Sequence, residues 1–360
     1  MKVMKFGGTS VGSPELIKNV ATLITASKEQ VFVVLSAMSG TTNALIEISD
    51  YLIKRNPEGA NELINRLETS YLSHVEKLYS TQEYKEKTQT TLLQIFSYLR
   101  SFTKGHFTSF ESHRVVAQGE IMSTNMMANY LLEQGYHTTL IDALSFMRTD
   151  KNAEPDMEYI KHHLKEAMQG HEDSQVYITQ GFICRNSYGE IANLQRGGSD
   201  YTASLVGVSL PAEEIQIWTD IDGMHNNDPR FVDKTTAIHQ LNFEEAAELA
   251  YFGAKILHPT CVQPAKFYGV PVRLKHTMDP HAEGTIIDNN LVRGKIKAVA
   301  AKDNITAIKI KSSRMLLATG FMRKVFETFE AYQTPIDMIT TSEVGVSMSI
   351  DNDKHLTEIV

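Results

Sequence analysis

Short apolar runs alternate with stretches of helical periodicity along most of this chain. Lys2 to Phe6, Val31 to Leu35, Thr138 to Ile141, Val176 to Thr179, Ile215 to Trp218 and Val270 to Lys275 read as buried strands. Between the first two, Leu16, Val20, Leu23 and Ile24 recur at helical spacing. Ser13 ahead of them suits an N-cap, and Pro14 suits the first helical position. Further helices are predicted from near Ala44, over Asp156 to Met168, from Ala203 to Leu210, and over Leu241 to Tyr251. Residues 57–134 carry no strand pattern. Leu63, Leu67, Tyr71, Val75 and Leu78 keep a helical period there, which predicts a helical insertion or lid. The alternation elsewhere predicts a doubly wound α/β domain with a mainly parallel sheet.

The pattern changes at the polar segment Asp288 to Lys295, which suits a linker and divides the chain into residues 1–288 and 289–360. Beyond it come a strand (Ile305 to Lys311), a helix (Phe321 to Tyr332), two strands (Ile336 to Thr340, Gly345 to Ile350) and a helix starting near His355. This β–α–β–β–α order is that of a ferredoxin-like α+β unit without its last strand. Either the chain is shortened or it borrows a strand from elsewhere.

The strands of the first domain end in small and polar residues, where ligands of open parallel sheets gather. Lys5-Phe6-Gly7-Gly8-Thr9-Ser10-Val11-Gly12 lacks both GxxxxGK[ST] and a well-placed GxGxxG. Its lysine precedes the glycines and would reach a phosphate from the strand end. Ser36 to Asn43 is a second such turn and is expected to face the first, with Thr42 or Asn43 available as a helix cap. Glu120 is an acidic residue in an apolar context, either a surface helix position or an anchor for an ammonium group. Met122, Met126 and Met127 read as core. Arg196-Gly197-Gly198-Ser199-Asp200 combines a guanidinium fork, paired glycines and the start of a helix, with Ser199 as candidate N-cap. The loop Thr219 to Arg230 is rich in Asp, Asn and Gly but lacks EF-hand spacing, so it suits a nucleoside better than calcium. Arg230 and Lys255 are candidate phosphate cations, and His258 is given no role.

Composition narrows the classes. A formal net charge of −8 without a basic face argues against nucleic-acid binding. No apolar run approaches the roughly 20 residues of a membrane span, and Met1 to Phe6 passes directly into structure without a signal peptide. Cys184 and Cys261 lack CxxC spacing, so neither a disulfide framework nor a structural zinc is indicated, and a cytoplasmic location is expected.

Six segments in order give the chain a resemblance to the aspartokinases of the amino acid kinase family. They are Lys5 to Gly12, Leu35 to Asn43, Gln118 to Thr124, Arg196 to Ala203, Thr219 to Arg230 and Gly253 to Pro259. An ACT-like TTSEV at Thr340 to Val344 follows. The resemblance covers nearly the whole chain and implies an amino-acid-kinase fold followed by a partial ACT regulatory domain. It also implies phosphoryl transfer from MgATP to the β-carboxylate of L-aspartate, giving 4-phospho-L-aspartate. By position it implies aspartate contacts at Ser36, Thr42, Glu120, Arg196 and Ser199. It places Lys5, Gly7, Gly8, Thr219, Asp220, His225, Arg230 and Lys255 on the ATP side, with Mg2+ accompanying the nucleotide and no metal site of the protein's own. Lys5 and Asp200 are the implied catalytic pair.

The physical reading agrees with that implication. Two anions must be brought together, so cations and backbone donors have to offset their repulsion. Lys5 would stabilise the transferring phosphoryl group, Arg196 would grip the substrate carboxylate, Glu120 would bind its ammonium, and Asp200 would orient the lysine and the metal-bound phosphates. A carboxylate nucleophile is ionised at pH 7, so no general base is needed.

The chain departs from the family in having His225 where a tyrosine is usual. In the ACT portion Met315, Asp337, Thr341, Ser342 and Glu343 match a lysine-binding effector site, with homodimerisation through ACT regions implied. Ala318 and Pro335 stand where that branch tends to have serines, which leaves lysine and threonine both open as effector. Asp222 in TDIDG is similar to forms fused to homoserine dehydrogenase. The competing readings are another amino acid kinase and a non-catalytic amino-acid sensor.

Overall fold

Val31–Leu35 is buried at every position, as a five-residue apolar run predicts for a strand covered on both faces. It forms β2 of the sheet around which the molecule is built. The computed structural model describes residues 1–194, 197–252, 257–291, 296–312, 315 and 319–360. Arg196, Lys255 and Ala318 lie outside the described residues.

The described chain falls into two units, Met1–Ala300 and Ala301–Val360. In the first, β1 (Lys2–Phe6), α1 (Pro14–Thr25), β2, α2 (Thr41–Ile53), α3 (Pro57–Leu78), α4 (Gln82–Ser101), α5 (Ser109–Val116) and α6 (Gln118–Glu133) come in order. Then follow β3 (Thr138–Leu140), α7 (Ala143–Phe146), α8 (Met157–Met168), β4 (Val176–Gln180), β5 (Ile183–Arg185), β6 (Ile191–Asn193), α9 (Gly198–Ser209) and β7 (Ile215–Thr219). The unit ends with β8 (Gln240–Asn242), α10 (Phe243–Phe252), α11 (Pro259–Tyr268), β9 (Val272–His276) and β10 (Thr285–Asp288).

The main sheet is 8-stranded in the order β3-β4-β2-β1-β7-β9-β10-β8. Pairing is parallel from β3 through β9, and β10 runs antiparallel to β9. A fold of this kind is α/β with one core on each face of its sheet. One core takes Met4, Phe6, Val33 and Leu35 together with α1 to α4 and α6; the other takes Val3, Val34 and Tyr177 with α8, α9 and α11. Because β1 has β2 on one side and β7 on the other, the chain reverses its direction of travel across the sheet there. Its C-terminal end is a switch point, where ligands of such sheets bind.

Local sequence explains most of the elements that frame this point. Ser13 caps α1 by accepting from the Leu16 N–H, with Pro14 in the first position. Met122, Met126 and Met127 are fully buried, so α6 is a core helix. The structure corrects three sequence expectations. α2 starts at Thr41 behind Gly40, not near Ala44 behind Thr42 or Asn43. α9 starts at Gly198, not Ala203, and its N-cap is Gly197 rather than Ser199. The short strands β5, β6, β8 and β10 are additions, each too brief to leave a period in the sequence.

The second unit has β11 (Thr306–Lys311), α12 (Phe321–Ala331), β12 (Met338–Ser342), β13 (Gly345–Ile350) and α13 (Leu356–Ile359). Its antiparallel sheet runs β11-β13-β12, over a small core of Val325, Phe329, Val346, Met348 and Ile350. Among the described residues no helix is long and apolar enough to cross a membrane.

Candidate active site

The turn after β1 and the turn after β2 are packed directly on each other. Gly8 O accepts from the Ser39 N–H at 3.1 Å, and Phe6 O accepts from the Ser36 N–H at 3.2 Å. A Cβ on Gly8 would lie 2.7 Å from Ala37 O, so only glycine permits this approach. The sequence expectation that these two turns face each other therefore holds.

Lys5 emerges from the end of β1 towards α9. Its Nζ lies 2.6 Å from Asp200 Oδ1, with only 12% of each side chain exposed. Asp200 belongs to the first turn of α9, on the far side of the Gly197-Gly198 pair. Gly197 takes φ +77°, and a Cβ there would sit 2.7 Å from Cys261 Sγ. Neither α9 nor α2 has a side-chain cap; each starts behind a left-handed glycine, Gly197 or Gly40. Two first turns thus present backbone N–H groups and the positive ends of their helix dipoles beside a buried cation.

Glu120 completes the cluster from the first turn of α6. It is 3% exposed, which excludes the surface reading. Its Oε1 accepts from the Ala37 N–H at 3.2 Å, whereas Oε2 is buried without a hydrogen-bond partner among the described residues. Burial pushes its carboxyl up to about 7, against the lowering effect of that backbone bond. A carboxylate oxygen in that state is open to a hydrogen-bond donor from a ligand. Ser36 is held nearby through its carbonyl, which accepts from Ser123 Oγ at 2.8 Å. Ser199 packs on Gly181, whose missing Cβ would fall 2.5 Å from Ser199 Oγ, and Gly181 N–H donates to Leu35 O. Thr42 lies one residue into α2.

On the other flank, Trp218 of β7 is in register with Phe6, so Thr219 follows it to the same sheet edge as Gly7. Thr219 Oγ1 donates to Asp220 Oδ1 at 3.0 Å. His225 and Arg230 lie farther along that loop and are bonded within it. His225 Nδ1 is 2.8 Å from Thr235 Oγ1 and Nε2 is 2.6 Å from Asp222 Oδ1, which holds the Asp222 carboxyl below its usual range. Arg230 forks onto Asp228 with 64% of its side chain exposed. Among the described residues no group of three or more His, Cys, Asp or Glu is placed to hold a metal ion.

Residues 1–276 match the amino acid kinase family. Lysine-sensitive aspartokinase 3 of Escherichia coli (strain K12) is 33% identical over 353 residues, which is 97% of this chain and 78% of the relative. This chain belongs to the amino acid kinase family, in its aspartokinase branch. Aspartokinase 1, chloroplastic, of Arabidopsis thaliana is 35% identical over 370 residues, 98% of this chain and 63% of the relative. The chain spans about two-thirds of the length of the chloroplastic relatives. The crystal structure of E. coli aspartokinase III in complex with aspartate and ADP (R-state) superimposes with a TM-score of 0.84 at 32% identity, covering 98% of this chain and 79% of that one. The same enzyme in complex with lysine and aspartate (T-state) gives 0.83 at 31%, covering 100% and 83%.

Several residues of this site gave no functional signal in the sequence. Phe182 takes φ +69°, donates its N–H to Thr202 Oγ1 at 3.1 Å, and lays its ring on Gly198, so it shapes the α9 turn. Thr41 and Tyr71 share a buried hydrogen bond of 2.8 Å behind the α2 turn. For Tyr71 a signal existed, since a tyrosine at a core position must find a partner for its hydroxyl. In the second unit Met315 packs on the core, the Asp337 N–H donates to Ser349 O, and Thr341, Ser342 and Glu343 are exposed on or beside β12.

Proposed function

We propose that this chain transfers the γ-phosphoryl group of ATP to the β-carboxylate of L-aspartate. The single observation that carries the reading is the buried Lys5–Asp200 pair between two glycine-led helix starts, beside Glu120 with its unpartnered oxygen. In the solved relative the bound molecules are aspartate and ADP, which are this reaction's acceptor and the spent donor.

The residues divide by chemistry. Glu120 takes the substrate ammonium, while Ser36, Thr42 and Ser199 line the acceptor side together with Arg196, which grips the α-carboxylate. Gly7 and Gly8 let the nucleotide phosphates approach the backbone, and Thr219, Asp220, His225, Arg230 and Lys255 serve the rest of the ATP, with Mg2+ arriving as part of MgATP. The β-carboxylate oxygen attacks the γ-phosphorus, a new P–O bond forms, and the bond to the ADP oxygen breaks. No proton moves, so no base is required. Lys5 stabilises charge on the phosphoryl oxygens, and Asp200 keeps its ammonium aimed at them. Such an enzyme belongs to amino-acid biosynthesis in the cytoplasm.

Regulation by an amino acid through the second unit belongs to the same reading, with Met315, Asp337, Thr341, Ser342 and Glu343 as its contacts. Lysine is the favoured effector because the T-state relative holds it. Pairing of two copies fits β12, an open sheet edge at which every residue is exposed.

The test is incubation with MgATP and L-aspartate, with hydroxylamine present to trap the acyl phosphate. Aspartate-dependent hydroxamate, absent with L-glutamate, is expected. A folded protein that binds ATP yet forms no hydroxamate would favour a non-catalytic sensor instead.

A further inference from the structure

The acceptor side of the site is backed by a contact that the reaction itself does not call for. Tyr71 lies midway along α3, in the helical hairpin remote in sequence from every glycine turn, and is 2% exposed. Its ring is wedged against Phe96 of α4 in an edge-to-face contact, with centroids 6.1 Å apart and planes at 67°. This fixes the direction of its hydroxyl, which meets Thr41 Oγ1 at 2.8 Å. Thr41 is the first residue of α2 and is equally buried.

The N-cap of that turn is Gly40, which gives it no side-chain hydrogen bond. Thr41 also touches the Glu120 element. A Cβ on Gly119 would lie 3.4 Å from Thr41 Cγ2, 2.8 Å from Ala37 Cβ and 3.2 Å from Leu45 Cδ1. Ala37 in turn donates to Glu120 Oε1. Tyr71, Thr41, Ala37 and Glu120 are therefore one packed junction of α3, α2, the turn after β2 and α6. A shift of Thr41 moves both the α2 donors and the wall against which Glu120 is set.

We infer that Tyr71 is a positioning residue of the aspartate subsite, its hydroxyl holding Thr41 and thereby the uncapped first turn of α2 in register with Glu120. The inference rests on the functional reading above and deepens it. The helical hairpin is on this view a brace of the acceptor site as well as a cover for the core. Tyr71 touches no substrate; it acts through Thr41.

The experiment compares Tyr71→Phe, Thr41→Val, the double variant and Thr41→Ser with the wild-type chain in the hydroxamate assay, with thermal unfolding of each recorded. Tyr71→Phe keeps the ring against Phe96 and removes only the hydroxyl. Loss of one buried hydrogen bond at a binding turn is expected to raise the aspartate KM about five- to tenfold, with kcat and the ATP KM within about twofold. Thr41→Val is expected to match it, and the double variant to be no worse than either single change, since both cut one contact. Thr41→Ser keeps a hydroxyl and is expected to restore the wild-type aspartate KM. If Tyr71→Phe does not fold, the contrast between Thr41→Val and Thr41→Ser decides the matter. An unchanged aspartate KM, additive effects in the double variant, or an equal rise in the ATP KM overturns the inference. Absence of hydroxamate from the wild-type chain overturns the functional reading and this inference with it.

Discussion

Lys5 and Asp200 lie 195 residues apart in sequence, yet their charged atoms are 2.6 Å apart at the end of the central strand. Each is nearly out of water, so neither charge is tolerated without the other. In the proposed reaction the lysine must face phosphoryl oxygens while its partner stays in place.

Lys5→Ala is therefore expected to lower kcat about a thousandfold, the order seen when one preorganised donor to a transition-state oxyanion is removed. Rapid-quench or hydroxamate rates measure this. Retention of more than about a tenth of the wild-type kcat would remove Lys5 from the phosphoryl site.

Glu120 gives a signed pH dependence. Its folded-state value of about 7 stands above the ordinary 4.5, because burial disfavours the charged form. Between those values the folded chain binds more protons than the unfolded one, so stability falls as pH rises from about 4.5 to about 7 and then levels off. The span corresponds to about 3 kcal/mol at most. Glu120→Gln is expected to unfold at a higher temperature than wild type at pH 8, with the gap closing at pH 5. Aspartate binding runs the other way, since the ammonium needs the ionised carboxylate. Its wild-type KM is expected to fall as pH rises through 7, and the Gln variant to be weak at every pH. A wild-type KM that does not vary across this range would contradict the assignment.

Gly8→Ala places a methyl group 2.7 Å from Ala37 O, so the two turns must separate. Overpacking of this kind costs about 1–3 kcal/mol. Because both turns carry the proposed site, the KM values for ATP and aspartate are expected to rise together, readable by steady-state kinetics alongside chemical denaturation.

In the proposed site His225 serves ATP and not aspartate. Both its ring nitrogens are engaged within the loop after β7. His225→Ala removes both of these loop hydrogen bonds and is expected to raise the ATP KM about tenfold, while leaving the aspartate KM within about twofold. An equal effect on both would place this loop elsewhere in the mechanism.

The fold was legible where the sequence repeats itself. The central strands are apolar runs and α1 declares its start with Ser13-Pro14, so local chemistry alone specifies them. What escaped was set by distant partners. β8 is three residues long and exists because Ile286 to Asp288 pair with it across more than forty residues. The helix starts of α2 and α9 escaped for a different reason. Thr42, Asn43 and Ser199 all carry side chains able to cap, whereas the chain uses left-handed glycines and keeps those residues inside the first turns. Of the site, Lys5, Glu120 and Asp200 stood out as charges in apolar or glycine-rich settings. Tyr71 did not, because its periodicity matches that of any core residue.

The uncapped helix starts have a consequence for how such a protein changes over time. Backbone N–H groups survive almost every point substitution, so the part of the proposed site that would handle anions is insulated from drift in the surrounding side chains. In the proposed function the choice of amino acid rests on much narrower ground, with the carboxylate at position 120 as its most exposed element to selection. Innovation in acceptor preference is expected to begin there and in its supports, while the glycine turns stay as inherited hardware.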